Sequence, residues 1–114
     1  MKPVIWHNPR CGKSRDALKL LEEKGIEAEV VQYLIDTPSK EELKAVLKKL
    51  GISARELMRT KEDIYKELNL KDETNEEKLI EAMVQNPKLI ERPVIIQGNK
   101  AVIGRPAEKM LDIL

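Results

Sequence analysis

The sequence predicts an α/β layer fold built on a mixed sheet of about four strands. Three observations carry that expectation. Short apolar runs bounded by turn residues alternate with helix-periodic stretches, in the order β-α-β-α, helices, β-β-α. Two of those runs flank Gly98-Asn99, the signal for an antiparallel hairpin. At 114 residues, the chain is the size of one compact domain, expected to span 1–114.

Val4-Ile5-Trp6 is a short apolar run closed by Asn8-Pro9, and it reads as a buried strand. From Lys13 to Lys24 the pattern turns helical, with Ala17, Leu18 and Leu21 on one face and Gly25 as the stop. Glu29 to Tyr33 supplies a second strand through Val30, Val31 and Tyr33. Ser39 is then a good N-cap, with Glu42 three residues on to complete a capping box. Leu43, Val46, Leu47 and Leu50 share one helical face, and Gly51 ends that helix.

The charged stretch Ser53 to Leu70 reads as short helices, with Leu57, Met58, Ile64 and Leu68 turned inward. Asn75 to Gln85 is a further helix carrying Leu79, Ile80, Met83 and Val84, and it stops before Asn86-Pro87. Val94-Ile95-Ile96 and Ala101-Val102-Ile103 are the hairpin strands. Pro106 to Leu114 closes the chain as a helix, with proline at or near its first turn.

Composition narrows the function classes. Lys and Arg total 21 against 20 Asp and Glu, a formal net charge of +1. Such a balance lacks the global basic field of a nucleic-acid or membrane-surface binder. No apolar stretch approaches the roughly 20 residues of a membrane span. The N-terminal run is too short for a signal peptide, so the cytoplasm is the expected compartment. There is one cysteine, Cys11, and one histidine, His7. A lone cysteine excludes an intramolecular disulfide, and one Cys with one His cannot build the usual four-ligand zinc site.

Cys11 falls between a predicted strand end and a predicted helix start, in His7-Asn8-Pro9-Arg10-Cys11-Gly12-Lys13-Ser14-Arg15. A thiol there meets the positive end of the helix dipole and free backbone N–H groups. Arg10, Lys13 and Arg15 add charge of the same sign, and together these favour the thiolate, the form that attacks. The same N–H groups can hold an oxyanion against the sulfur. A lone cysteine often does no more than fill a strand–helix corner; here the helix start and flanking charge favour the nucleophile.

Other motifs fail on inspection. Gly12-Lys13-Ser14 resembles the end of a phosphate-binding loop, but the required earlier glycine is His7. A C-x5-R phosphatase loop would need arginine where Ala17 stands, and a C-x-x-C dithiol would need cysteine at Ser14. A redox cycle through Cys11 therefore needs a thiol from outside the chain. His7 suits either an imidazolium or proton carrier for Cys11 or a strand-end histidine bonded to the loop. Arg59, Arg92 and Arg105 read as surface residues by pattern alone, although Arg92 and Arg105 each precede a proline that fixes backbone direction.

These blocks resemble the single-cysteine arsenate reductases that couple to glutaredoxin. The likeness runs from Ile5 to Leu114. It rests on the Cys11 block, Gly51-Ile52-Ser53 with Leu57-Met58-Arg59, Asn86-Pro87 with Arg92-Pro93, and Gly104-Arg105-Pro106-Ala107-Glu108. The resemblance implies a thioredoxin-like fold, a four-stranded mixed sheet with flanking helices and an inserted helical segment. It implies that Cys11 attacks arsenate and that His7 helps keep it ionised. Arg59, Arg92 and Arg105, with Gly12 and Ser14, would hold the oxyanion, and Pro93 would be the structural proline, usually cis, beside the active-site loop.

The implied reaction needs no bound cofactor or metal. Its partners are arsenate, glutathione as co-substrate and glutaredoxin, with no nucleic acid or membrane. Two other readings stay open at this point. One is a thiol-dependent reductase of the same fold acting on another substrate. The other, ranked last, is a Spx-type regulator that binds RNA polymerase; such regulators usually carry a C-x-x-C switch, and Ser14 opposes that.

Overall fold

The computed structural model describes residues 2–114. Its sheet has four strands in the order β2-β1-β3-β4. These are β1 Val4–Trp6, β2 Glu29–Val31, β3 Val94–Gln97 and β4 Lys100–Ile103. β1 runs parallel to β2, while β1–β3 and β3–β4 are antiparallel. The parallel pair needs a crossover, and helix α1, Gly12–Glu23, supplies it. The hairpin turn falls at Gly98-Asn99 as expected, with Gly98 at φ +59, where a side chain would be strained. This is the thioredoxin-like sheet that the resemblance implies.

Contacts divide the chain into two units. The first runs up to Asp36 and resumes at Arg92; the second is Thr37–Glu91. In the first, Ile5, Ala17, Leu21, Ile95, Ala107 and Met110 form a buried cluster. One residue from β1, two from α1, one from β3 and two from the C-terminal turn thus meet on one face of the sheet. Leu20, Ile26, Val102 and Ile113 pack around its edge.

Three elements of this unit differ from expectation. α1 begins at Gly12 rather than Lys13, so Cys11 is its N-cap. β2 ends at Val31, because the Gln32 carbonyl accepts the N–H groups of both Ile35 and Asp36 and turns the chain. Tyr33 is fully buried, but outside the strand. The C-terminal segment is a 3₁₀ helix, Ala107–Asp112, capped by Pro106. Its apolar residues explain the change: Ala107, Met110 and Ile113 recur every three positions, the 3₁₀ period, rather than every 3.6.

The second unit is helical. α2, Lys40–Leu50, starts at the Ser39–Glu42 capping box and ends at Gly51 in the left-handed region. α3, Ala54–Leu57, has a second capping box, Ser53 with Glu56. α4 spans Asp63–Glu67 and α5 spans Glu76–Gln85, the latter capped by Asn75. Lys40 and Lys44 of α2 meet Glu77 of α5 at 2.8 and 2.6 Å. The Arg55 guanidinium donates to the Tyr65 hydroxyl and to the carbonyls of Leu70 and Glu73. One side chain thus ties α3 to α4 and to the 3₁₀ turn Leu70–Asp72. Leu57 and Met58 are buried as expected. Leu68 is not: it lies at the C-terminus of α4, 46% exposed, and Tyr65 and Leu70 fill the interior instead.

Candidate active site

The register of the sheet decides what gathers at one end of it. Trp6 pairs with Val94, and Val94 with Ile103. Residues just after Trp6, just before Val94 and just after Ile103 therefore leave the sheet at the same end. They are the His7–Cys11 loop, Arg92-Pro93 and Gly104-Arg105. Both Arg92-Pro93 and Arg105-Pro106 are cis; only the first of these was implied by the resemblance. The Gly104 N–H donates to the Pro93 carbonyl at 2.9 Å, which joins the two arms.

Cys11 is partly exposed, with extended backbone at the N-cap of α1. No acidic residue in the first turn offsets the positive helix end. Burial pushes the thiol up. The Ser14 N–H, the charge of Arg92, the Lys13 N–H and a hydrogen bond from the Arg92 side chain outweigh it, so the thiol lies below its ordinary value. Hydrogen bonds and a cation that favour the anion define an activated nucleophile.

Ser14 is wholly buried. Its Oγ accepts the Asn8 N–H at 2.9 Å and lies 2.7 Å from His7 Nδ1. With one proton and two acceptor lone pairs, Oγ accepts from Asn8 and completes its bonding with Nδ1, as donor or acceptor according to the His7 tautomer. Ser14 thus turns its hydroxyl to the loop and its backbone N–H to the thiol. His7 is buried, and burial lowers its pKa; a backbone hydrogen bond at Ser14 works the other way, and the charge of Arg15 lowers it further. The net preference is for the neutral ring.

Arg105 donates through Nη1 to the Arg92 carbonyl at 3.1 Å, so the two arginines before proline are linked. Gly12 is exposed, and a Cβ there would meet only Arg15 Nη2 at 3.9 Å. Arg59 belongs to the second unit. It sits between α3 and α4, with its guanidinium 3.4 Å from Glu62 and 3.9 Å from Glu91. Beside the Cys11 loop, a cleft of about 310 Å³ opens between Pro9 and Arg10 on one wall and Leu34 and Ile35 on the other. It exists because Val31 pairs with Trp6, which brings the turn after β2 to the same sheet end.

Two residues shape the loop beyond their part in the sequence reading. Asn8, there only a strand stop, accepts the Arg10 N–H on Oδ1 at 3.0 Å. Arg15, there only a charge, donates to the Pro9 carbonyl at 3.0 Å. The Asn-Pro pair is a turn signal that points to the first; no local pattern marks the second. Among the described residues no group of His, Cys, Asp and Glu could hold a metal ion. No described helix is long and apolar enough to cross a membrane.

Known proteins resemble this chain over nearly its whole length. The chain is 58% identical over 112 residues to the uncharacterized protein YfgD of Escherichia coli K12, covering 96% of this chain and 94% of that one. It is 50% identical over 112 residues to an arsenate reductase of Neisseria meningitidis, covering 96% of each. The solved structure of an arsenate reductase from Vibrio cholerae superposes with a TM-score of 0.97 at 49% identity, over 100% of this chain and 98% of that one. The model described as the ArsC family matches residues 6–113, which include the Cys11 loop, both Arg-Pro pairs and Arg59. With likeness at that level in sequence and in structure, the chain belongs to the ArsC family.

Proposed function

We propose that this protein reduces arsenate to arsenite, with Cys11 as nucleophile and glutathione and glutaredoxin as electron donors. The observation that carries the reading is Cys11 at the N-cap of α1, where the Ser14 and Lys13 N–H groups and the Arg92 side chain favour its thiolate. A thiolate so placed has donors ready for the oxygens of an incoming tetrahedral oxyanion. Arginine suits such a ligand, since it stays charged and presents a planar fork. The thiolate displaces one arsenate oxygen, which leaves as water and gives a sulfur–arsenic(V) adduct. Glutathione replaces a second oxygen, again lost as water.

The glutaredoxin thiolate then attacks the glutathione sulfur. The arsenic–sulfur electron pair stays on arsenic, which becomes arsenic(III), and a glutaredoxin–glutathione mixed disulfide departs. Water cleaves the remaining Cys11–arsenic bond, releasing arsenite and restoring the thiol. Two external thiols are oxidised to one disulfide for each arsenic reduced, which is why a chain with one cysteine suffices. Arg105, bonded to the Arg92 carbonyl, joins Arg92 at the oxyanion in this reading. Cytoplasmic thiol pools fit the need for external reductant.

A coupled assay with arsenate, glutathione and glutaredoxin tests this. Saturable turnover is expected, with none from Cys11→Ala. Arg92→Ala should lower kcat/KM by roughly 10²-fold, as loss of an oxyanion donor does elsewhere. Retained turnover in Cys11→Ala removes Cys11 as nucleophile, and no wild-type turnover at any arsenate concentration removes the activity.

A further inference from the structure

We propose that Arg15 is a positioning residue for Cys11, acting by fixing the orientation of the Pro9–Arg10 peptide in the loop that carries the thiol. The inference deepens the proposed function, since it concerns the same loop. The peptide is held at both ends by side chains. Its N–H, that of Arg10, donates to Asn8 Oδ1 at 3.0 Å, and its carbonyl, that of Pro9, accepts from Arg15 Nη1 at 3.0 Å. The two holders, Asn8 and Arg15, flank the loop on either side.

The remaining links are backbone bonds or the Ser14 hydroxyl: Cys11 N–H to the Asn8 carbonyl, Arg15 N–H to the Cys11 carbonyl, and Asn8 N–H to Ser14 Oγ. These fix the loop's two feet. The apex peptide is fixed by Asn8 and Arg15. Pro9 has no N–H with which to anchor itself. Each peptide unit has a dipole of about 3.5 D, so a rotated apex would swing its carbonyl and redirect the chain at Arg10. Cys11 follows directly, and the Lys13 and Ser14 N–H groups and Arg92 favour its thiolate only while its sulfur stays within their reach.

Arg15 acts through geometry rather than through charge on the sulfur. The groups that act on Cys11 are Ser14, Arg92 and Lys13, whereas the charge of Arg15 acts on His7. The two influences are therefore separable in one protein. With a single cysteine and a single histidine in the chain, each can be followed without assignment.

The test is the pH profile of Cys11 alkylation by iodoacetamide in the full chain, with no arsenate or reductase coupling. Its result is therefore independent of whether the protein turns over arsenate. Arg15→Ala should move the alkylation midpoint upward and slow alkylation at pH 7 by roughly tenfold, the equivalent of about 1.4 kcal/mol, while urea unfolding confirms a folded chain. Arg15→Lys, which keeps a donor of similar reach, should recover most of the rate. Because Asn8 and Arg15 hold one peptide, Asn8→Ala and Arg15→Ala should be non-additive, the double variant losing less than the two losses combined. A wild-type profile in Arg15→Ala, or strict additivity with Asn8→Ala, overturns the inference.

Discussion

His7 shows how one buried side chain makes the loop sensitive to pH. Its ring bonds Ser14 Oγ at 2.7 Å, and its backbone N–H donates to the Val31 carbonyl at 2.8 Å. Burial and then, against a backbone hydrogen bond at Ser14, the charge of Arg15 lower its pKa from 6.5. The unfolded chain therefore takes up the proton first as pH falls. Stability from the neutral ring is fully present above 6.5 and declines as pH drops below it, until the folded ring titrates too. Urea unfolding at pH 7.5 and 5.5 should show wild type losing more stability than His7→Gln across that interval. Equal losses would mean that the ring is not held neutral. The presence of a thiol at a helix start was legible in the sequence, because charge and punctuation are local. The neutral state of His7 was not, because it follows first from burial, which only the folded chain creates.

Elements were legible where one local device sets them. The Ser39–Glu42 box and Gly51 place both ends of α2, and the Asn75 cap starts α5. The same S-x-x-E spacing at Ser53–Glu56 starts α3, and it could have been read alike. Misreadings arose where packing chose among similar patterns. Leu68 has the spacing of a buried helical residue, but α4 is one turn long and Tyr65, held by Arg55, takes the interior position. Gly104 is the sharpest case of an unreadable constraint. In sequence it is a glycine after a strand; in the fold its Cβ would lie 2.7 Å from Ile95 Cδ1 and 3.1 Å from Pro93 Cγ. Gly104→Ala must push on the β3 arm that carries Arg92. A stability loss of roughly 1–3 kcal/mol is expected from such overpacking, together with slower Cys11 alkylation at neutral pH. A variant as stable and as reactive as wild type would show that the arm yields without disturbing Arg92.

At the scale of the whole molecule, sheet order turns a balanced chain into a locally cationic one. The net charge is +1, yet Trp6, Val94 and Ile103 align in register, so Cys11, Arg92 and Arg105 converge from positions far apart in the chain. Pairing of that kind is invisible to local periodicity, which is why pattern alone left both arginines on the surface. Convergent cations repel one another, and a multivalent oxyanion relieves that repulsion only in the folded state. Arsenate should therefore stabilise the protein by linkage, by about 2.7 kcal/mol at a ligand concentration of 100 times Kd. Phosphate, of the same shape and charge, should do so too. The gain should fall with added salt, since part of it is Coulombic, and shrink in Arg92→Ala and Arg105→Ala. It should survive in Cys11→Ser, where the oxyanion can bind but not react. Thermal unfolding in arsenate, phosphate and chloride at matched ionic strength distinguishes the outcomes. Equal shifts in all three salts would mean that the arginines meet without forming an oxyanion site.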